Sequence, residues 1–229
     1  MTTTSIVPPV PANVPESKPV EGERLFLLNN VDWAGYEKLL EMFGDHGPRM
    51  SYLDGMVELM SPGPIHEQFS QILGRMVVDL IVELNIPAKA QGSTTFKRRD
   101  RERGLEPDEC FYLASLPLLR GRDLRTLDPL PPPDLVIEVE ITSPLLDKLD
   151  IYAGLGVPEI WKHNQDGLTI LGLQPDGRYA PEGRSRAFPF LPIDGFRRQL
   201  AAYDPDDETT WTRAYRTWVR EVVAPLYQT

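Results

Sequence analysis

The sequence predicts an α/β (α+β) fold, and three observations carry that prediction. Apolar residues make up 41% of the 229, enough to offset chain entropy by burial. About residues 65–84, apolar side chains recur at helical spacing. Around that helix lie short β-prone runs set off by Asp-Gly dipeptides, the residues that favour tight hairpin turns. The length suits one domain, read as residues 24–229 with a C-terminal capping helix, after a Pro-rich disordered tail over residues 1–23.

The tail carries Pro8, Pro9, Pro11, Pro15 and Pro19 and no aromatic residue, the composition of a solvated polyproline-like segment. Next, Tyr36, Leu39, Leu40 and Phe43 share one face of a short helix, with Asn30 or Asp32 available as its cap and Gly44 at its end. Asp54-Gly55 turns a hairpin between two short strands. The long helix follows, its stripe made by Phe69, Ile72, Leu73, Met76, Val77, Leu80, Ile81 and Leu84. Residues 88–97 and 109–114 read as strands. Residues 97–104 between them hold five basic and two acidic side chains, opposite in sign to the whole chain. A connection rich in proline leads into residues 134–141, which are strongly β-prone, and a helix over about residues 145–155 stops at Gly156. A strand through residues 159–162 and hairpins turned at Asp166-Gly167 and Asp176-Gly177 come next. Trp211, Tyr215, Trp218 and Val222 then repeat every three or four residues, as in a helix packed on the domain.

Composition narrows the function. The net charge of -10 disfavours a protein that coats nucleic acid or anionic lipid by bulk electrostatics. One cysteine, Cys110, cannot build a disulfide framework or a thiolate zinc site, which points to a reducing, cytoplasmic compartment. No stretch approaches 18 uninterrupted apolar residues, so no membrane span is expected.

The segment that carries chemistry is residues 134–141. In a strand, Leu135, Ile137, Val139 and Ile141 share one face, and Asp134, Val136, Glu138 and Glu140 share the other. Two carboxylates side by side on an otherwise apolar strand repel each other and lose hydration. Solvent, a base or a bound cation resolves that; so does an edge strand with one wet face. Asp108, directly ahead of the run at residues 109–114, can stand at the end of a neighbouring strand beside the acidic ridge. Carboxylates without histidine or cysteine form an oxygen donor set, suited to Mg²⁺ or Mn²⁺ rather than zinc.

Residues 52–62 (YLDGMVELMSP), 104–112 (GLEPDECFY), 133–143 (PDLVIEVEITS) and 147–161 (DKLDIYAGLGVPEIW) together resemble the Uma-type restriction endonuclease domain, of the PD-(D/E)xK nuclease superfamily. The resemblance covers about residues 25–220. It implies a restriction-endonuclease-like core, a central mixed β-sheet flanked by helices, and metal-dependent hydrolysis of phosphodiester bonds in DNA. It makes Asp108 and Glu138 the metal-binding carboxylates. The lysine slot two residues after Glu138 holds Glu140, a further catalytic candidate, and the resemblance shifts the lysine to Lys148 on the following helix. It also points to Glu67 as an additional ligand and to His66 as an auxiliary residue, with Glu58 on the hairpin strand ranked behind both. Helical phase turns His66 inward with Phe69 and leaves Glu67 off that face.

With such a site, Lys97, Arg98, Arg99, Arg101 and Arg103 are candidate contacts to the DNA backbone, as are Arg120, Arg122 and Arg125 in a second basic loop. The alternative for the first group is a solvated charged hairpin. The resemblance also suggests a homodimer. The competing class is a catalytically inactive DNA-binding or regulatory module on the same scaffold, favoured by the glutamate in the lysine slot. Paired carboxylates also serve glycoside hydrolases, but there they flank a sugar, whereas Glu138 and Glu140 share one strand face.

Overall fold

A computed structural model describes residues 22–44, 47–122, 127 and 129–227; most of the predicted tail, and Arg125, lie outside them. Eleven strands among the described residues divide between two sheets. The first is antiparallel, in the order β1 (Arg24–Asn29), β3 (Met56–Ser61), β2 (Arg49–Leu53), β6 (Arg103–Leu105), β5 (Phe96–Arg98). The second runs β11 (Tyr179–Pro181), β10 (Gly167–Leu173), β9 (Glu159–Asn164), β8 (Leu135–Val139), β7 (Glu109–Tyr112), β4 (Lys89–Ala90). It is mixed, because β8 and β9 pair in parallel while β7 lies antiparallel to β8. The helices are α1 (Trp33–Phe43), α2 (Pro64–Glu83), α3 (Lys148–Leu155), α4 (Ile193–Ala201) and α5 (Glu208–Trp218). Helix α5 runs on through a π-helical turn, Val219–Val223, into Ala224–Tyr227.

The expected α+β class with helix-flanked mixed pairing is what forms, with three differences of detail. The run at residues 88–97 is two strands in two sheets: β4 pairs with β7 and β5 with β6, because Gly92 takes a left-handed backbone (φ 60°) between them. Strand β8 is central and buried on both faces, which overturns the wet-edge reading of residues 134–141. Strand β1 and helix α4 carry no expectation from the sequence. β1 alternates poorly, and α4 is a short helix with two arginines, Arg198 exposed and Arg197 half-buried, and no side-chain cap.

Three apolar clusters hold the layers. On one face of the mixed sheet, Leu135, Ile137, Val139 and Trp161 meet Leu73, Val77 and Leu80 of α2, together with Phe196 and Tyr215. The Tyr215 hydroxyl donates to the Met76 carbonyl at 2.9 Å, tying α5 to the middle of α2. The opposite face supplies Cys110, Tyr112, Val136 and Ile160, which pack with Ile151, Tyr152 and Leu155 of α3 and with Leu53, Phe96 and Leu105 of the antiparallel sheet. Helix α3 is therefore wedged beside the junction of the two sheets. Asp32 caps α1 by accepting from Gly35 N–H at 2.8 Å, and Trp33 and Tyr36 close a third cluster with Met50, Tyr52 and Val57.

Cys110 lies inside the second cluster, and burial pushes its thiol pKa up to about 12. Because the thiolate is the reactive form, native protein should be inert to a disulfide reagent at pH 8 and should titrate one thiol once denaturant is added. Rapid labelling of the native chain would contradict this packing.

Candidate functional site

A carboxylate in the centre of a buried strand keeps its charge only if donors surround it. Glu138, on β8, has two. Lys148 Nζ lies 2.8 Å from its Oε2, and the Tyr152 hydroxyl donates to its Oε1. Both donors stand on α3 four residues apart, so one helical face presents the cation and the phenol together. Asp147 starts that helix by accepting from Asp150 N–H at 3.1 Å. Burial works against charge on the Lys148 ammonium, yet Glu138, Glu58 and Glu140 outweigh it and hold its pKa above the ordinary lysine value. Burial and the Glu138 carboxylate raise the Tyr152 phenol well beyond its usual value, so it remains a donor.

Asp108 stands one residue before β7. The β7–β8 register pairs Glu109 with Ile137, so the next step along the ladder sets Asp108 opposite Glu138. Asp108 Oδ2 accepts from Val139 N–H at 2.6 Å, and Oδ1 meets the Arg49 guanidinium. Arg49 reaches from β2 and also donates to Glu67 Oε1 at 3.0 Å. His66, fully buried on the first turn of α2, sets Nε2 3.3 Å from Asp108 Oδ2 without hydrogen-bond geometry. Burial, then the nearby positive charges of Arg49 and Lys148, push the His66 pKa down to about 3, so the imidazole is neutral at pH 7. Glu67 lies off the buried face, as helical phase requires, and its side chain is 41% exposed.

A third buried carboxylate, Glu58, comes from β3. Its Oε2 accepts from Leu145 N–H and from Leu146 N–H at 3.1 Å, fixing the chain just ahead of α3. Its Oε1 is buried with no hydrogen-bond donor among the described residues. Glu140 lies one residue past β8 and pairs with Lys162 of β9 at 2.6 Å.

Asp108, Glu138 and Lys148 thus gather where the two sheets meet α3, with His66, Glu67 and Glu140 at the margin. Sequence reasoning gave Glu58 little weight and missed Arg49, Tyr152 and Lys162. Tyr152 had a legible signal, its four-residue spacing from Lys148. Arg49 had none, since it enters from a different sheet. Bases, one of the resolutions open to the acidic ridge, keep it from being self-repelling without a metal: Arg49 answers Asp108, Lys148 answers Glu138 and Lys162 answers Glu140.

The donors are hard oxygens, Asp108 and Glu138 with the unsatisfied Glu58 Oε1 nearby, which fits a divalent cation of the Mg²⁺ or Mn²⁺ kind. Among the described residues, no three histidine, cysteine or acidic side chains are already gathered as a metal cluster. The basic stretch is spent in part within the chain. Lys97 pairs with Glu37 at 3.2 Å, Arg98 with Asp100 at 2.7 Å, and Arg103 with Asp54 at 2.6 Å and Asp150 at 3.0 Å. Arg99 and Arg101 form no ion pair among the described residues. This stretch is a charged hairpin, β5 to β6, turned through Glu102 in a left-handed conformation (φ 49°).

A family model, Uma2, described as "putative restriction endonuclease", matches residues 33–202. No curated protein matches the chain. Among solved structures, a putative nuclease of the DUF820 group from Anabaena variabilis is similar at 17% identity. The match covers 72% of this chain and 91% of that one, with a TM-score of 0.43. No helix among the described residues is long and apolar enough to cross a membrane.

Replacing Lys148 by Met leaves the Glu138 carboxylate buried beside a single neutral donor. Stability to urea should fall by about 3–5 kcal/mol, the scale of breaking one side of a buried pair. Glu138→Gln combined with Lys148→Met should cost clearly less than the two losses summed. Strict additivity would show that the two side chains do not act as a unit.

Proposed function

The chain belongs to the Uma2 family of putative restriction endonucleases, and from that premise we propose that it is a metal-dependent endonuclease hydrolysing phosphodiester bonds in DNA. The observation that carries the proposal is the pair of buried carboxylates, Asp108 and Glu138, set opposite each other at the mouth of two neighbouring strands. Glu58 and Arg49 from the second sheet stand close by.

Asp108 and Glu138 would hold the cation, which when bound polarises a phosphoryl oxygen and makes an attacking water more acidic. The chain's own residues do the rest. Lys148 and Tyr152 fix the Glu138 carboxylate in one orientation. Val139 N–H and Arg49 do the same for Asp108, so neither carboxylate needs to reorganise when substrate arrives. Lys148 adds a fixed positive charge beside the place where negative charge develops on phosphorus. His66, neutral and enclosed, acts through Asp108 by packing rather than by proton transfer. Glu67 holds Arg49 in place from the other side. Arg99 and Arg101, on the short turn between β5 and β6, are the proposed contacts to distant phosphates, and the net charge of -10 keeps such binding modest and salt-sensitive.

Supercoiled plasmid incubated with the protein and Mg²⁺ or Mn²⁺ should be nicked, and chelation by EDTA should stop it. Asp108→Asn and Glu138→Gln should each slow nicking by about 10²-fold or more, the scale of removing one preorganised electrostatic contact to a transition state. Nicking that survives both substitutions would remove the assignment. Plasmid retention without nicking, across varied DNA, would favour the inactive binding module.

A further inference from the structure

The site contains two lysines, and they differ in what they can reach. Lys148 is enclosed, its side chain 8% exposed, with its ammonium committed to Glu138. Lys162 stands on β9 in parallel register with Glu138, so the two side chains leave the sheet on the same face. The ladder continues one step past β8, where Glu140 N–H donates to the His163 carbonyl at 2.8 Å. That step brings Glu140 Oε2 to 2.6 Å from Lys162 Nζ, and the Lys162 side chain is 25% exposed.

We propose that Lys162 is the cation with which this site meets the substrate's phosphate, and that Glu140 is its counter-ion when no phosphate is there. The inference rests on the endonuclease reading above and names a residue that reading does not use. An ammonium on a four-carbon stem is a movable point charge, able to exchange one oxygen anion for another by changing rotamers. An ion pair partly open to water holds its partners weakly, so the exchange from carboxylate to phosphate meets little resistance. Lys148 cannot make the same exchange without leaving Glu138 buried and unpaired. Glu140 then has a definite effect: it competes with phosphate for Lys162 and repels the incoming backbone. The two members of the pair should therefore act on DNA binding with opposite signs.

The test is fluorescence anisotropy of a short labelled DNA duplex titrated with the full chain, with Ca²⁺ in place of Mg²⁺, over a range of salt. Nicking is measured in parallel. Lys162→Met should bind more weakly, and its plot of log Kd against log salt should be shallower by about one, the signature of one lost phosphate contact. Lys162→Arg should keep the wild-type slope. Glu140→Gln should bind more tightly than wild type. If Lys162→Met fails to fold, by circular dichroism, the Glu140→Gln arm decides alone, and unchanged affinity there overturns the proposal. Wild-type protein that neither binds nor nicks removes the endonuclease reading and this inference with it. Wild-type protein that nicks, beside a Lys162→Met variant with unchanged slope and rate, removes the Lys162 assignment only.

Discussion

The structure is organised around one costly group, the Glu138 carboxylate in the middle of a strand with no exposed residue. An isolated charge there would lose several kcal/mol of hydration, so the chain must bring a cation and a donor to it. Helix α3 brings both. Its apolar residues Ile151 and Leu155 fill the space between the sheets while Lys148 and Tyr152, on the same short helix, turn to the carboxylate. Packing and charge compensation are one requirement here. Loosening the helix would expose the core and strand the charge together.

The same logic repeats at the neighbouring groups with different partners. Asp108 is answered by Arg49 from the other sheet and by a backbone N–H from β8, and Glu58 by two backbone N–H groups ahead of α3. The Arg49–Asp108 link crosses from one sheet to the other, and Glu58 ties the antiparallel sheet to the connection ahead of α3, so these acidic residues join the layers as well as line the site. Glu159 shows that a buried carboxylate in this fold can also be purely architectural. It accepts from Trp161 Nε1 and Ser185 Oγ, both at 2.6 Å, and from the N–H groups of Arg186 and Ala187, leaving it no open valence for a ligand. Glu58, with one oxygen unsatisfied, is the contrasting case.

How much of this was legible follows from how far each contact reaches along the chain. Strand alternation put Glu138 and Glu140 on one face, and the position of Asp108 ahead of a strand put it within reach. Lys148 came only from the family resemblance, although its spacing to Tyr152 is local and readable. Arg49 was invisible, because its meeting with Asp108 depends on how two sheets pack, which no local pattern encodes. The wet-edge alternative failed for a related reason: whether a strand is central depends on its neighbours, and the residues that make β8 central lie in β7 and β9. The split of residues 88–97 turned on the backbone of Gly92, where the β-propensity of the flanking residues gave no warning.

Glu138 is answered from a helix and not from its own strand, and the connection between them is short. Its length is therefore part of the chemistry. A residue added or removed between Leu146, which Glu58 holds, and Lys148 would displace the ammonium from the carboxylate. Surface connections normally drift in length over evolutionary time with little effect. This one has less freedom, because its far end is tied to Glu58 and to the Asp147 cap and the next side chain must still reach Glu138.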